Sequence, residues 1–187
     1  MKFPGFHEPI EGLELTQSKD IDNVFPLLKD IDLIIEIGTW KGGFPVFLKK
    51  IFNCEVHTFD IVEWVGERRQ IFEKYGINYH IQDVFESNVI IYLCGDPRRK
   101  MLLCDGGKKA DEFHFFVNHL NKGDIIGMHD FGVNQKYFNK HIRNIKWTTS
   151  LESSEDQVNG LIIDKVIKRH KHWQAFTDVV WGMYEKL

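Results

Sequence analysis

Acidic side chains recur at one kind of place in this chain, the end of a short apolar run: Glu36 just before Gly38, then Asp60, Asp83, Asp105 and Asp130. A carboxylate at such a point is partly desolvated, and clustered like charges repel, so solubility alone does not account for the set. The chemistry it suits is a cationic or hydroxyl-rich ligand: a ribose, a sulfonium, an amine or a metal ion. Glu36 opens Glu36-Ile37-Gly38-Thr39-Trp40-Lys41-Gly42-Gly43. Glycines there let the backbone approach a ligand and start a helix whose amides face it. The spacing is not the G-x-G-x-x-G of dinucleotide-binding loops. His129, beside Asp130, can ligate a softer metal such as manganese or iron, act as a base, or simply pack.

To converge, these acids need strands that run in one direction. Ile31–Ile37 is a short, nearly all-apolar run of the kind that forms a strand buried on both faces. Phe44, Phe47, Leu48 and Ile51 then fall at i, i+3, i+4 and i+7, with Pro45 in the first turn, which predicts a helix. The alternation continues with strands at 55–59, 78–82, 101–104 and 124–128 and helices at 64–75 and 111–120. Such alternation implies right-handed βαβ units, a parallel sheet covered on both faces, and ligands at the carboxyl ends of its strands. Beyond Asp130 the reading is a short helix at 137–145, a polar loop at 150–154, and a helix through Val158, Leu161, Ile162 and Val166. That helix ends in Arg169-His170-Lys171-His172, whose cations would offset its dipole. A strand or hairpin at 175–184 closes the chain. Residues 1–30 are expected to form an arm or lid on a domain of residues 31–187.

Composition sets outer bounds. The chain has 187 residues, 43% of them apolar, which suits one domain with a real core. A net charge of -3 gives no long-range attraction to nucleic acid. Three cysteines, Cys54, Cys94 and Cys104, with no CxxC spacing, suit a reducing compartment, with Cys104 as core. The start Met1-Lys2-Phe3-Pro4-Gly5 does not read as a secretory signal, and no segment approaches the roughly 20 apolar residues of a membrane span. The expectation is a soluble, cytoplasmic protein, compatible with a homodimer, acting on a small molecule without nucleic-acid or membrane partners. Asp96-Pro97-Arg98-Arg99-Lys100 is expected to be a solvated loop. Trp64, Trp147, Trp173 and Trp181 are expected in the core, whereas Trp40 lies inside the glycine loop, where it would border a ligand.

Taken together, Glu-Ile-Gly-Thr-x-x-Gly-Gly, His57-Thr58-Phe59-Asp60, Ile81-Gln82-Asp83, Leu102-Leu103-Cys104-Asp105-Gly106-Gly107 and Gly123-Asp124-Ile125-Ile126-Gly127-Met128-His129-Asp130 resemble the class I S-adenosylmethionine-dependent methyltransferases. The resemblance covers roughly residues 31–131 and a terminal strand. It is nearest to small-molecule O-methyltransferases of the macrocin and catechol types and to cephalosporin hydroxylase-like proteins. It implies an α/β, Rossmann-like three-layer sandwich: a seven-stranded, mostly parallel sheet with an antiparallel terminal strand. It also implies S-adenosylmethionine as cofactor. Glu36, Gly38, Thr39 and Gly42 would surround the methionine part, Asp60 would accept from the ribose hydroxyls, and Asp83 would face the adenine amino group. Ile61, Val84 and Asp105 belong to the same cofactor set.

The resemblance further implies a role for Asp105-Gly106-Gly107-Lys108, which matches the Asp-x-x-Lys of metal-dependent catechol- and caffeoyl-coenzyme A-type O-methyltransferases. Asp105 would bind magnesium or another divalent ion, Lys108 would deprotonate the acceptor hydroxyl, and Asp130 would be a second ligand, with His129 a further ligand or a catalytic group. The chain departs from both relatives here. Phe131 stands where the catechol type has Asn, His129 where the macrocin and cephalosporin types have Glu, and Lys108 where the macrocin type has His. The activity implied is O-methylation of a small hydroxylated molecule, with possible metal assistance. Rival readings are a cofactor-binding protein without catalysis, an NAD-dependent oxidoreductase, which the glycine spacing disfavours, and a nucleic-acid or protein methyltransferase, which charge and length disfavour.

Overall fold

The computed structural model describes residues 5–141, 143 and 151–187. Its centre is β1 (Leu33–Ile37), in which every residue is buried. A run of that kind has apolar side chains for both faces of a sheet, and it uses both: Ile34 joins one core, and Leu33, Ile35 and Ile37 the other. The chain continues through α2 (Gly43–Phe52), β2 (Glu55–Asp60), α3 (Arg69–Tyr75) and β3 (Ile77–Ile81). Next come α4 (Asn88–Cys94), β4 (Lys100–Cys104), α5 (Lys109–Phe116) and β5 (Ile125–Met128), preceded overall by the short α1 (Ile21–Val24). After β5 follow β6 (Phe131–Gly132), α6 (Gln135–His141), β7 (Ser153–Ser154), α7 (Glu155–Ile163), β8 (Ile167–Arg169), α8 (Trp173–Asp178) and β9 (Gly182–Lys186).

Seven strands form one sheet in the order β3-β2-β1-β4-β5-β9-β8. The five expected strands are all present and pair in parallel, and β9 is antiparallel to both β5 and β8. On one face Phe44, Phe47, Phe72 and Phe176 pack with the chain before β1; on the other Phe113, Phe116 and Val158 pack with Tyr184. The first segment contributes to that core directly. Phe25 meets Phe44, Phe47, Phe176 and Trp181 edge to face at 5.5–5.9 Å, and Leu13, Leu15 and Ile21 are buried beside it.

Several expectations for the second half change. The helix expected to end at Arg169–His172 stops at Ile163, because Lys165 takes a left-handed backbone (φ +57°) and the β-branched pair Val166-Ile167 leads into β8. Arg169 pairs with Glu155 and stacks on Trp173, so its charge does not serve a helix end. The closing hairpin at 175–184 is a helix, α8, followed by β9. Helix α4 was not anticipated, although Ser87 caps it by accepting from the Ile90 amide. Part of the helix expected at 137–145, Ser150 and Trp147 lie outside the described residues, and Ser153–Ser154 pairs with β6.

The basic run before β4 is not wholly solvated either. Lys100 is fully buried, and its ammonium lies 2.6 Å from Asp124, which also accepts the Lys100 and Asn121 amides. Burying two charges is tolerable only while they are paired. Asp124→Ala is therefore expected to destabilise the chain by about 3–5 kcal/mol, read from the midpoint of urea unfolding.

Candidate functional site

The carboxyl ends of β1, β2, β4 and β5 open onto one cavity of about 940 Å³, near the upper end of the roughly 300–1,000 Å³ usual for ligand pockets. Backbone pairing continues one residue past the strands. The Gly38 amide donates to the Phe59 carbonyl (2.8 Å), Asp105 to Ile37 (2.9 Å) and His129 to Cys104 (3.1 Å). Each site residue is thus placed by its neighbour's backbone. At Gly38 (φ +96°) β1 and β4 approach so closely that a Cβ would lie 2.3 Å from the Asp105 carbonyl oxygen, which excludes any other residue. Gly43 admits the first segment in the same way. Its amide donates to the Glu14 carbonyl at 3.1 Å, a Cβ would come within 2.3 Å of that oxygen, and Thr16 enters the cavity wall.

On the β2–β3 side the wall carries Asp60, Ile61, Asp83 and Val84. Asp60 accepts the Trp40 amide on one oxygen and the Val62 amide on the other, both at 3.1 Å. Asp83 accepts the Phe85 amide at 2.9 Å and caps the turn at Val84. Ile61 is 70% exposed at the rim. Trp40 borders the cavity as expected, at a left-handed position (φ +47°). Trp64, expected in the core, joins it at the mouth: the ring centroids are 4.8 Å apart, and the Lys41 ammonium lies over both.

Glu36, Thr39 and Gly42 stand behind the wall. The Glu36 carboxyl is fully buried and accepts from the Thr58 hydroxyl, which shares a 2.6 Å hydrogen bond with Thr39. Burial pushes the Glu36 carboxyl well above the usual range, against the Thr58 bond and with Asp105 and Asp60 adding to the rise. Gly42 precedes α2 and packs on Phe72.

On the β4–β5 side Gly38, Asp105, Lys108, His129 and Asp130 reach the cavity. The His129 Nδ1 donates to Asp105 Oδ1 at 2.9 Å, its ring stacks on Trp181, and its Nε2 is buried with no hydrogen-bond partner among the described residues. Burial opposes charge on this imidazole, but Asp105 and Asp130 outweigh it and raise its pKa. Burial likewise opposes ionisation of Asp130, yet His129 and Lys109 hold it below the usual carboxylate range. Asp105 also accepts from Gln17, whose own carbonyl accepts the Trp181 indole N–H. The possible ligand atoms of Asp105, His129 and Asp130, the residues expected to hold a metal, lie within 4.8 Å of one another.

The lysine whose ammonium lies at these three residues is Lys109; Lys108 is the expected base for the acceptor hydroxyl. Lys108 is exposed at the rim. Lys109 is buried, with its Nζ 2.7 Å from Glu152, 3.3 Å from Asp130 and 3.9 Å from Asp105. Glu112, also buried, accepts the Gly106 and Lys108 amides and shapes the loop after β4. The signal for both was present in the sequence: Lys109, Glu112, Phe113 and Phe116 fall at i, i+3, i+4 and i+7, the inward stripe of α5. Gln17 and Glu152 carry no such signal, being brought in by tertiary packing.

The sequence matches no protein-family model, and no curated protein resembles it with significance. Solved structures share its fold. The CmcI-N160 apo-structure matches with a TM-score of 0.67 at 13% identity, over 96% of this chain and 76% of that one. A Staphylococcus aureus protein assigned as a caffeoyl-CoA O-methyltransferase gives 0.65 at 16%, over 94% and 86%. Geranyl diphosphate C-methyltransferase from Streptomyces coelicolor A3(2), solved with Mg2+, geranyl-S-thiolodiphosphate and S-adenosyl-L-homocysteine, gives 0.58 at 12%, over 99% and 84%. These structures share with this chain its fold, the seven-stranded, mostly parallel sheet with an antiparallel strand between β5 and β8 that was expected. No helix among the described residues is long and apolar enough to cross a membrane.

Burial raises the Glu112 carboxyl to about 7, against the two amide bonds it accepts. A folded-state pKa above the unfolded one contributes stability at low pH that is lost as pH rises through the folded value. Between about pH 5 and about pH 8, stability is expected to shift by up to about 3 kcal/mol in favour of Glu112→Gln over the wild type. Urea unfolding across that range checks this, and a pH-independent difference would mean that Glu112 is ionised throughout.

Proposed function

We propose that this chain is an S-adenosylmethionine-dependent methyltransferase that methylates an oxygen of a small hydroxylated molecule. The observation that carries the reading is a single cavity with two chemically distinct ends: Asp60 and Asp83 at one, the His129–Asp105 pair at the other. The fold shared with methyltransferases supports it. The residues fit the cofactor. Each Asp60 oxygen accepts one amide and keeps a lone pair, so together they can receive two ribose hydroxyls. Asp83 faces the adenine amino group, with Ile61 and Val84 as apolar flanks. Gly38 brings backbone to the methionine part, supported from behind by Glu36, Thr39 and Gly42. Residues 31–187 form the cofactor domain in this reading, and the segment before them supplies part of the wall through Thr16 and braces Asp105 from behind through Gln17.

When bound, S-adenosylmethionine supplies a methyl group on a sulfonium, which a substrate oxygen displaces in line. The protein orients the acceptor and takes its proton. We assign that proton to His129 in preference to Lys108. The bond from Nδ1 to Asp105 orients the ring and, in the neutral tautomer, leaves Nε2 as the acceptor; Nε2 is covered in this structure, so the acceptor hydroxyl has to displace that cover to reach it.

Calorimetric titration is expected to give heat with S-adenosylmethionine and none with NAD; absence of heat with the former overturns the reading. Loss of two charge-assisted hydrogen bonds in Asp60→Ala should weaken cofactor binding by roughly 10²–10⁴-fold. His129→Ala should keep cofactor affinity while turnover falls by about 10²–10⁴-fold. Unchanged turnover would return the role of base to Lys108.

A further inference from the structure

Lys109 starts α5, yet its side chain runs beneath the cavity instead of out to solvent. The three acids around its ammonium come from separate segments: Asp105 after β4, Asp130 after β5 and Glu152 before β7. Two of its N–H donors have carboxylates at 2.7 and 3.3 Å, and the third acid stands at 3.9 Å. Asp105 and Asp130 are also two of the three residues that could together hold a metal ion. A divalent ion placed between them would lie against this ammonium, with like charges in contact in a buried place. The third member is engaged as well, since His129 Nδ1 is hydrogen-bonded to Asp105. With Lys109 in position, these residues do not fit a divalent ion.

We propose that Lys109 is the resident cation of the site, taking the place a divalent metal would need. The assignment rests on the methyltransferase reading only for its catalytic consequence. An ammonium carries one charge and three short N–H donors, and it cannot offer the several open coordination positions by which a dication grips two neighbouring oxygens. The acceptor class follows: a molecule presenting a single hydroxyl at the reacting position, not one held by chelation through a vicinal pair. In the transfer the new carbon–oxygen bond forms as the carbon–sulfur bond breaks, the hydroxyl proton goes to His129 Nε2, and no metal takes part. Lys109 acts as a positioning residue, holding Asp105 and Asp130 together so that Asp105 can orient His129.

The test uses Mn2+ as a probe, read by electron paramagnetic resonance on the full chain freed of metal by chelation. Wild type and Lys109→Arg, which both keep the cation, are expected to leave Mn2+ free at millimolar concentration. Lys109→Met, which leaves three acids and an imidazole facing one another, is expected to bind one Mn2+ per chain, and to lose it again when Asp130→Asn is added. One bound Mn2+ in the wild type overturns the proposal, as does a Lys109→Met protein that folds and binds none. If Lys109→Met folds only with metal, refolding on addition of Mn2+ supports the assignment, and failure to refold counts against it. Methyl transfer by the wild type should be unaffected by chelator and unstimulated by Mg2+, and stimulation would overturn the catalytic part. Because Mn2+ binding is read without cofactor, it stays separate from the calorimetric test of S-adenosylmethionine binding.

Discussion

Parallel strands that end at one edge of a sheet bring their terminal residues together whether or not their charges agree. In this chain Asp105 and Asp130, at the ends of adjacent β4 and β5, are drawn into the same partly buried volume, and Glu152 joins them from the far side. Their repulsion has to be answered locally, since water has limited access. The answer is the Lys109 ammonium with the His129 imidazole, and the groups hold each other's protonation states. The acids raise the proton affinity of Lys109 and of His129, which suits the imidazole to take up a proton, while the two bases favour ionised Asp130.

The cluster is tied to both faces of the sheet. Gln17, from the segment before β1, reaches Asp105 and is itself held by the indole of Trp181, on which His129 stacks. Trp181 belongs to the same aromatic core as Phe25 and Phe44. On the opposite face Lys109 and Glu112 project from α5, whose Phe113 and Phe116 anchor it in the second core. A change in either core is therefore felt at the acids. The β2–β3 side is built differently: Asp60 accepts the amides of Trp40, from the loop after β1, and of Val62, Asp83 accepts that of Phe85, and Trp40, Ile61 and Trp64 are exposed around the mouth. One end of the cavity is thus buried and charged, and the other is more exposed and partly aromatic.

Much of the parallel half of the fold was legible because both of its signals are local. Apolar runs such as Leu33–Ile37 announce a strand covered on both faces, and helical spacing such as Phe44, Phe47, Leu48 and Ile51 announces what covers it. The second half was harder, because its outcomes rest on partners distant in the chain. Ile167–Arg169 becomes a strand by pairing with Gly182–Lys186, and Trp173–Asp178 becomes a helix under the aromatic core; neither dependence is written in a short window. Lys100 was misread for the same reason: beside two arginines it looks solvated, and only its pairing with Asp124, from the next strand, buries it.

By itself the sequence determined that acids would gather at the ends of parallel strands, because strand direction follows from alternation and a residue at the end of a run stays at the end. Asp60, Asp83, Asp105 and Asp130 could be named on that ground alone. It did not determine which cation they would face. Lys108 and Lys109 are adjacent and chemically identical, and the α5 stripe favours the second only once that helix is set against the sheet. The tertiary structure made the choice: Lys108 stays outside the helix as its N-cap, at the rim, whereas Lys109 is the first helical residue and joins the inward stripe beneath the cavity. Electrostatic partners are chosen by distance in space, and for Gln17, Glu152 and Lys109 only the folded chain supplies that distance.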